Sequence, residues 1–216
     1  MSGGRRAVAL CKKCGGLGDV VIWESVNTQL NPEVKEKLMQ GNLFRYICPK
    51  CGSVHRIDYG MLFHQMEDRR MLFLAKDAKE VEERIQSIGW LEKANAAGVA
   101  DDYLYRVVRS DEHLREKIYI FDQGLDDRVI EVMKVFIISS LEPASDKLLI
   151  DKMYLNVTDG APKDFSIQMK YGRKRTVAFS QEMYDSVKKE FFMEDDGKRE
   201  YIVNHVWALE KTRSIG

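Results

Sequence analysis

The sequence has little of several things. Lysine and arginine number 34, as do aspartate and glutamate, so the 216 residues carry no excess charge of either sign. A protein that grips nucleic acid or an anionic membrane through its overall field needs such an excess, and the balance argues against that class. Prolines number four and low-complexity tracts are absent, which argues against disorder. The apolar stretch around residues 135–138 is far shorter than the roughly 20 residues that span a bilayer. Residues 1–8 lack the apolar run of a signal peptide. These absences predict a cytoplasmic protein with enough chain to close one large core or two small ones.

Cysteine is scarce too, but its four copies are fully organised. They form Cys11-Lys12-Lys13-Cys14-Gly15 and Cys48-Pro49-Lys50-Cys51-Gly52, two C-x2-C pairs with 33 residues between them. A two-residue gap turns both sulfurs of a pair to one side of a tight loop. The glycine behind it can take the positive φ that curls the backbone under a metal. Four thiolates on two such loops make a closed tetrahedral site, the donor set for one structural zinc ion held by Cys11, Cys14, Cys48 and Cys51. Closing a gap of 33 residues costs roughly 3 kcal/mol, whereas structural zinc returns about 10–16 kcal/mol. Iron suits the same donors. Two disulfides, or a redox pair, are the remaining readings, and neither an export signal nor a lone C-x2-C beside a βαβ pattern supports them.

Strands are expected at 8–10 and 20–23 around the first cysteine loop, and at 43–47 and 54–58 around the second. Between them Asn31-Pro32-Glu33 starts a helix that Gly41 stops. Beyond lie a strand at 70–75 and a helix from 77 to about 97. After Gly98 the pattern changes to a strand at 103–108 and a helix at 111–123, capped by Ser110 and ended by Gly124. The next helix begins at Leu125 or Asp126, and its run from Val129 to Leu141 is apolar almost all round, which predicts burial. Strands at 148–157, 165–170 and 175–179 follow, then a helix from Ser180 to about 192. The periodicity of 201–209 fits either a strand or a short helix. The fold class is α+β: an N-terminal zinc ribbon of short antiparallel strands with a bridging helix, followed by a helical pair packed on an antiparallel sheet. The expected domains are a zinc-ribbon module at 1–75 and an α+β region at 76–216, with a join near 98 as the alternative boundary.

Three stretches resemble a known family. The first is Asn31-Pro32-Glu33-Val34-Lys35-Glu36-Lys37-Leu38 with Gly41 and the Cys48-Pro49-Lys50-Cys51-Gly52 loop. The others are Arg109-Ser110-Asp111-Glu112-His113-Leu114-Arg115-Glu116-Lys117-Ile118 and Gly124-Leu125-Asp126-Asp127-Arg128-Val129-Ile130-Glu131. In kind and order they are similar to the CpXC-domain proteins of bacteria and archaea, over most of residues 8–135. The resemblance implies a zinc-ribbon-like domain in a prokaryotic cytoplasmic protein. It implies no reaction, and no catalytic residue is carried over from it.

Asp126, Asp127 and Glu131 are the candidates for chemistry outside the cysteines. Asp127 and Glu131 share a helical face at i, i+4, as carboxylates holding Mg2+ for hydrolysis would. Acids in a first helical turn also face the positive end of the dipole, and Arg128 with Lys117 or Arg115 can neutralise them; this plainer reading is preferred. Of the histidines, His55 and His64 are near enough to the second cysteine pair to orient a sulfur or replace a ligand, while His113 and His205 stand apart. Residues 1–60 carry nine Lys and Arg against five acids, with Lys12, Lys13 and Lys50 on the cysteine loops and Trp23, Phe44 and Tyr46 nearby. That pattern suits weak nucleic-acid binding, although metal-bound thiolates need the same lysines as counter-charge. Arg173-Lys174-Arg175 falls at a hairpin turn, where such a run is usually solvated. The reading favoured is a zinc-binding, non-enzymatic module that binds a protein partner through apolar surface around Trp23, Phe44 or Met61, Leu62 and Phe63. The alternative is a nucleic-acid-binding zinc-ribbon protein, and below it a metal-dependent hydrolase using Asp126, Asp127 or Glu131.

Overall fold

The computed structural model describes residues 2–96, 98, 103–141, 147, 149–158, 160–193 and 197–213. They form two compact units that divide between Arg115 and Glu116. In the first, β1 (Gly3–Leu10) and β2 (Leu17–Asn27) make an antiparallel hairpin that ends on the pair Leu10 and Leu17, with the first cysteine loop as its tip. Helix α1 (Pro32–Met39) follows. Pro32 takes its first position, where a missing amide costs nothing, and Val34 and Leu38 bury one face at i, i+4. At its other end Gly41 takes φ +73° and the Asn42 amide donates to the Lys37 carbonyl, so the chain turns sharply towards the next hairpin. That hairpin, β3 (Arg45–Ile47) with β4 (Val54–Arg56), carries the second cysteine loop.

The chain then enters β5 (Met61–Gln65) and β6 (Arg70–Leu74), an antiparallel pair. Ser25, Val26 and Asn27 of β2 run parallel to Leu62, Phe63 and His64 of β5. Parallel strands need a crossover, and α1 with the β3–β4 hairpin supplies it. Helix α2 (Ala78–Ala96) makes the second crossover, from β6 to β7 (Leu104–Val108), which again runs parallel to its neighbour. The result is a mixed five-stranded sheet in the order β1-β2-β5-β6-β7. Met61, Phe63 and Leu72 are fully buried in its core.

Helix α3 (Asp111–Asp122) starts in the first unit and ends in the second; the Ser110 hydroxyl accepts from the His113 amide at 3.1 Å to cap it. Gly124, at φ +66°, ends it, with the Leu125 amide donating to the Ile120 carbonyl at 3.1 Å. Helix α4 (Asp127–Ser140) is buried almost all round, as its apolar run requires. Strands β8 (Ile150–Thr158), β9 (Ala161–Met169) and β10 (Lys174–Ala178) form an antiparallel sheet in the order β10-β9-β8. Helices α5 (Gln181–Phe191) and α6 (His205–Arg213) pack on α4.

The α+β class is present, with two departures from expectation and one open element resolved. The three-stranded sheet of the second unit and the β3–β4 pair are antiparallel, whereas the five-stranded sheet is mixed. Residues 61–65 form a central strand, so Met61 and Phe63 are core rather than partner-facing surface, and Phe44 is buried too. Of residues 201–209, whose periodicity fits either a strand or a short helix, 201–204 are irregular and the rest opens α6, begun by Asn204, whose side-chain oxygen accepts from the Trp207 amide at 3.0 Å. Of the suggested join at 98–102, and of the expected element ends at 97 and 148, only Gly98 lies among the described residues. No helix among the described residues is long and apolar enough to cross a membrane.

Candidate metal centre

The two cysteine loops are built alike. Gly15 donates its amide to the Cys11 carbonyl and Gly52 donates to that of Cys48, both at 2.9 Å. The Cys11 amide donates to the Gly16 carbonyl at 2.8 Å and the Cys48 amide to that of Ser53 at 2.9 Å, closing each loop. Gly15 and Gly52 sit at φ +68° and +69°, where a side chain would be strained. The hairpins bring the loops together. All four sulfurs lie within 4.8 Å of one another, with Cys11 and Cys51 at 3.7 Å and Cys14 and Cys48 at 3.6 Å. None is in a disulfide, which removes that reading. A tetrahedral site with metal–sulfur bonds near 2.3 Å has sulfurs roughly 3.8 Å apart, so this donor set fits one tetrahedral, thiophilic ion.

Close packing holds the loops in register. A Cβ at Gly18 would lie 2.5 Å from the Tyr46 hydroxyl and 2.8 Å from Pro49, so the first hairpin can press on the second loop only because residue 18 has no side chain. Tyr46 is buried against Cys11 and Cys48. Neither it nor Phe44 is available to stack on a base, and Trp23 is half-buried. The Lys50 stem lies over Gly16 of the opposite loop.

Amides and hydroxyls point at the sulfurs. The Lys13 and Cys14 amides serve Cys11, that of Gly16 serves Cys14 and that of Ser53 serves Cys51. The Ser53 hydroxyl is 3.2 Å from Cys11 Sγ and 3.0 Å from Cys51 Sγ. His55 Nε2 is 3.1 Å from Cys11 Sγ and 2.8 Å from Ser53 Oγ, so His55 orients a sulfur from outside the four-sulfur shell. His64 is engaged elsewhere, with its Nε2 3.0 Å from the Tyr103 hydroxyl. The Ser53 hydrogen bond outweighs burial and brings the Cys11 thiol down to about 5. Cys14 goes the other way: the Gly16 amide lowers it, but the neighbouring sulfurs and burial together push it up to about 12. A second thiolate in so small a volume meets the field of the first.

A divalent ion reverses that penalty, and loading it must expel the proton from Cys14. Metal affinity should therefore rise with pH through the neutral range, with at least one proton released per ion. Calorimetry in buffers of different ionisation enthalpy measures this; a heat of binding independent of buffer would contradict it.

The acidic cluster is occupied by the protein's own cations. Lys117 Nζ is 2.8 Å from Asp127 Oδ2 and 3.6 Å from Glu131 Oε1. Lys134 Nζ is 2.8 Å from Glu116 Oε1 and 3.0 Å from Glu131 Oε1. Asp126 caps α4 by accepting the Arg128 amide at 2.9 Å, and its carboxylate also takes the Arg128 guanidinium at 2.7 Å. Arg115 pairs with Asp111 at 3.5 Å instead. All five side chains of the Glu116–Lys134–Glu131–Lys117–Asp127 chain are buried. The Lys117 ammonium stands where a divalent ion between Asp127 and Glu131 would have to stand, so these carboxylates are paired within the protein.

Such a network is costly to break. Lys134→Ala leaves Glu116 without its cation and Glu131 with only the more distant Lys117, and should cost about 3–5 kcal/mol in urea unfolding. Burial raises the Glu131 carboxyl, but Lys134 and Lys117 more than offset it and hold it below its ordinary value. Its contribution is therefore complete above the unfolded carboxyl value and fades as pH falls through the lower folded one. Burial lowers Lys134, and Glu116 and Glu131 overturn that and hold it above the lysine range. Its contribution is complete below the unfolded lysine value and fades as pH rises through the higher folded one. Urea midpoints of the native chain should show a plateau between roughly pH 5 and 10, lost at both ends, and the Lys134→Ala chain should lose most of its height.

No curated protein and no solved structure matches the chain. A family model described as CpXC protein matches residues 9–134, a span that holds all four cysteines and all five side chains of the buried charge network. That is more than half of the sequence, and the chain belongs to the CpXC protein family.

Proposed function

We propose that the chain is a zinc-stabilised, non-enzymatic module that binds a protein partner through the first hairpin. A closed four-sulfur shell leaves no position for substrate, and the chain is far longer than a small iron-thiolate electron carrier needs, so zinc is the ion proposed. In this reading the ion is structural: it ties the tips of two hairpins that share little other core.

One observation carries the partner reading. Val8, Leu10, Leu17 and Val21 are exposed at 65%, 63%, 64% and 48%. In the hairpin register Leu10 faces Leu17, Val8 faces Asp19 and Arg6 faces Val21, so alternation puts the four aliphatics on one side. Such a patch on one small hairpin is the kind of surface that marks a contact site. β1 is also an edge of its sheet, with backbone groups open to a further strand. Arg6, Lys12 and Lys13 lie beside the patch in the sequence. The occupant that fits is an extended partner segment with alternating apolar side chains and flanking acids.

The purified protein should be colourless and hold one zinc per chain by elemental analysis, and Cys48→Ser should lose it. A red protein with iron–thiolate absorption would replace zinc by iron. For the partner, a photoreactive side chain at Val8 should cross-link one protein species in cells and survive nuclease treatment. Leu10→Ser/Leu17→Ser should abolish that product while zinc content and melting temperature hold. Loss of the product on nuclease treatment would favour nucleic acid instead.

A further inference from the structure

We infer that the β9–β10 hairpin in the second unit is a contact site for single-stranded nucleic acid, with Tyr171 as its stacking platform and Lys170, Arg173 and Lys174 as its phosphate partners. This goes beyond the protein-binding reading and does not depend on it.

The argument starts from the backbone. Met169 donates its amide to the Arg173 carbonyl at 2.9 Å, leaving Lys170, Tyr171 and Gly172 to make the turn. Tyr171 and Gly172 both have positive φ, at +62° and +75°. Glycine is at home there, and asparagine or aspartate tolerates it; a tyrosine is strained. Among the described residues, Arg69 is the only other non-glycine with positive φ. A side chain kept in a strained position needs a use elsewhere. Packing is not that use, because Tyr171 is 91% exposed, more than Trp90 at 75%. The turn holds a flat aromatic ring out in water.

The ring's surroundings select the ligand. Lys170, Arg173 and Lys174 are exposed on the same loop. With Tyr171 they line a shallow cleft of about 510 Å3 whose lining includes a single carboxylate, Asp151. Every base presents a face to stack on an aromatic ring, and every nucleotide of a single strand brings a phosphate for a nearby cation. A duplex hides its base faces, and an anionic lipid surface would take the cations but offers no flat face for the ring to stack on. With a whole chain of zero net charge, affinity rests on these local contacts and is modest.

Fluorescence anisotropy of fluorescein-labelled dT12 with the full-length, metal-loaded chain at 50 mM salt tests this. Binding is expected on the order of 10–100 μM, weakening roughly 20-fold at 200 mM salt if three phosphates are neutralised. Tyr171→Gly should weaken it by about 5- to 100-fold while the melting temperature holds or rises, because glycine relieves the turn. A merely structural tyrosine would give the opposite thermal result. Tyr171→Phe should retain binding, and Lys170→Glu/Lys174→Glu should lose it. The inference is overturned by no anisotropy change up to 200 μM protein, by equal binding of a duplex, by binding that Tyr171→Gly leaves intact, or by binding lost only with Lys12→Glu/Lys50→Glu.

Discussion

Four sulfurs within 4.8 Å of one another set the terms for the first unit. Gathered so closely, they cannot all be ionised without a cation among them, and they are gathered by loops that would otherwise have little reason to meet. Each loop is a local product of its sequence: two residues between cysteines, a glycine behind, a short antiparallel hairpin to present it. Their encounter is not local. It needs α1 to turn the chain back, Gly18 to let the first hairpin approach Pro49 and Tyr46, and the Ser53 and His55 side chains to cross-brace Cys11.

The legible part of this protein is the part encoded within a few residues. The cysteine loops, the Pro32 helix start, the glycine stops at 41 and 124, and the caps at Ser110, Asp126 and Ser180 all rest on contacts within about five residues, and the structure has them. The missed strand β5 shows the limit. Met61 to Gln65 is too short to display a period, and its status comes from parallel pairing with β2 and antiparallel pairing with β6, neither visible in its own composition. The same limit applied to exposure. Sequence singled out Phe44 and Met61 as surface because they lie near the cysteines, whereas the exposed aliphatics are those beside the tip of the first hairpin, where no second layer covers them.

Charge was harder to place than apolarity. Asp127 and Glu131 at i, i+4 suit a metal as well as their own cations; the cations are the plainer reading, but the helix alone does not name them. The partners come from α3, through Glu116 and Lys117, and from one turn on within α4, through Lys134. A buried network of alternating sign gives the core of the second unit a polar element in which removing one partner leaves a neighbouring charge buried and uncompensated. Tyr171 is the reverse case: a residue whose identity was plain, and whose importance appears only when its φ is known.

The mixed sheet has a bearing on how the chain finds its shape. Both parallel pairings, β2 with β5 and β6 with β7, demand that a long loop be closed before any ladder bond rewards it, which is the slow step in folds of this kind. The β1–β2 and β3–β4 hairpins, by contrast, can form on the microsecond scale from neighbours in sequence. An ion captured by their two tips would tether the β3–β4 hairpin, inside the first crossover, to the β1–β2 hairpin before β2 and β5 have met. The search for that pairing then starts from a chain already held at Cys48 and Cys51 rather than from the whole free excursion beyond Asn27. The metal would thus act on the order of assembly as well as on the stability of its product.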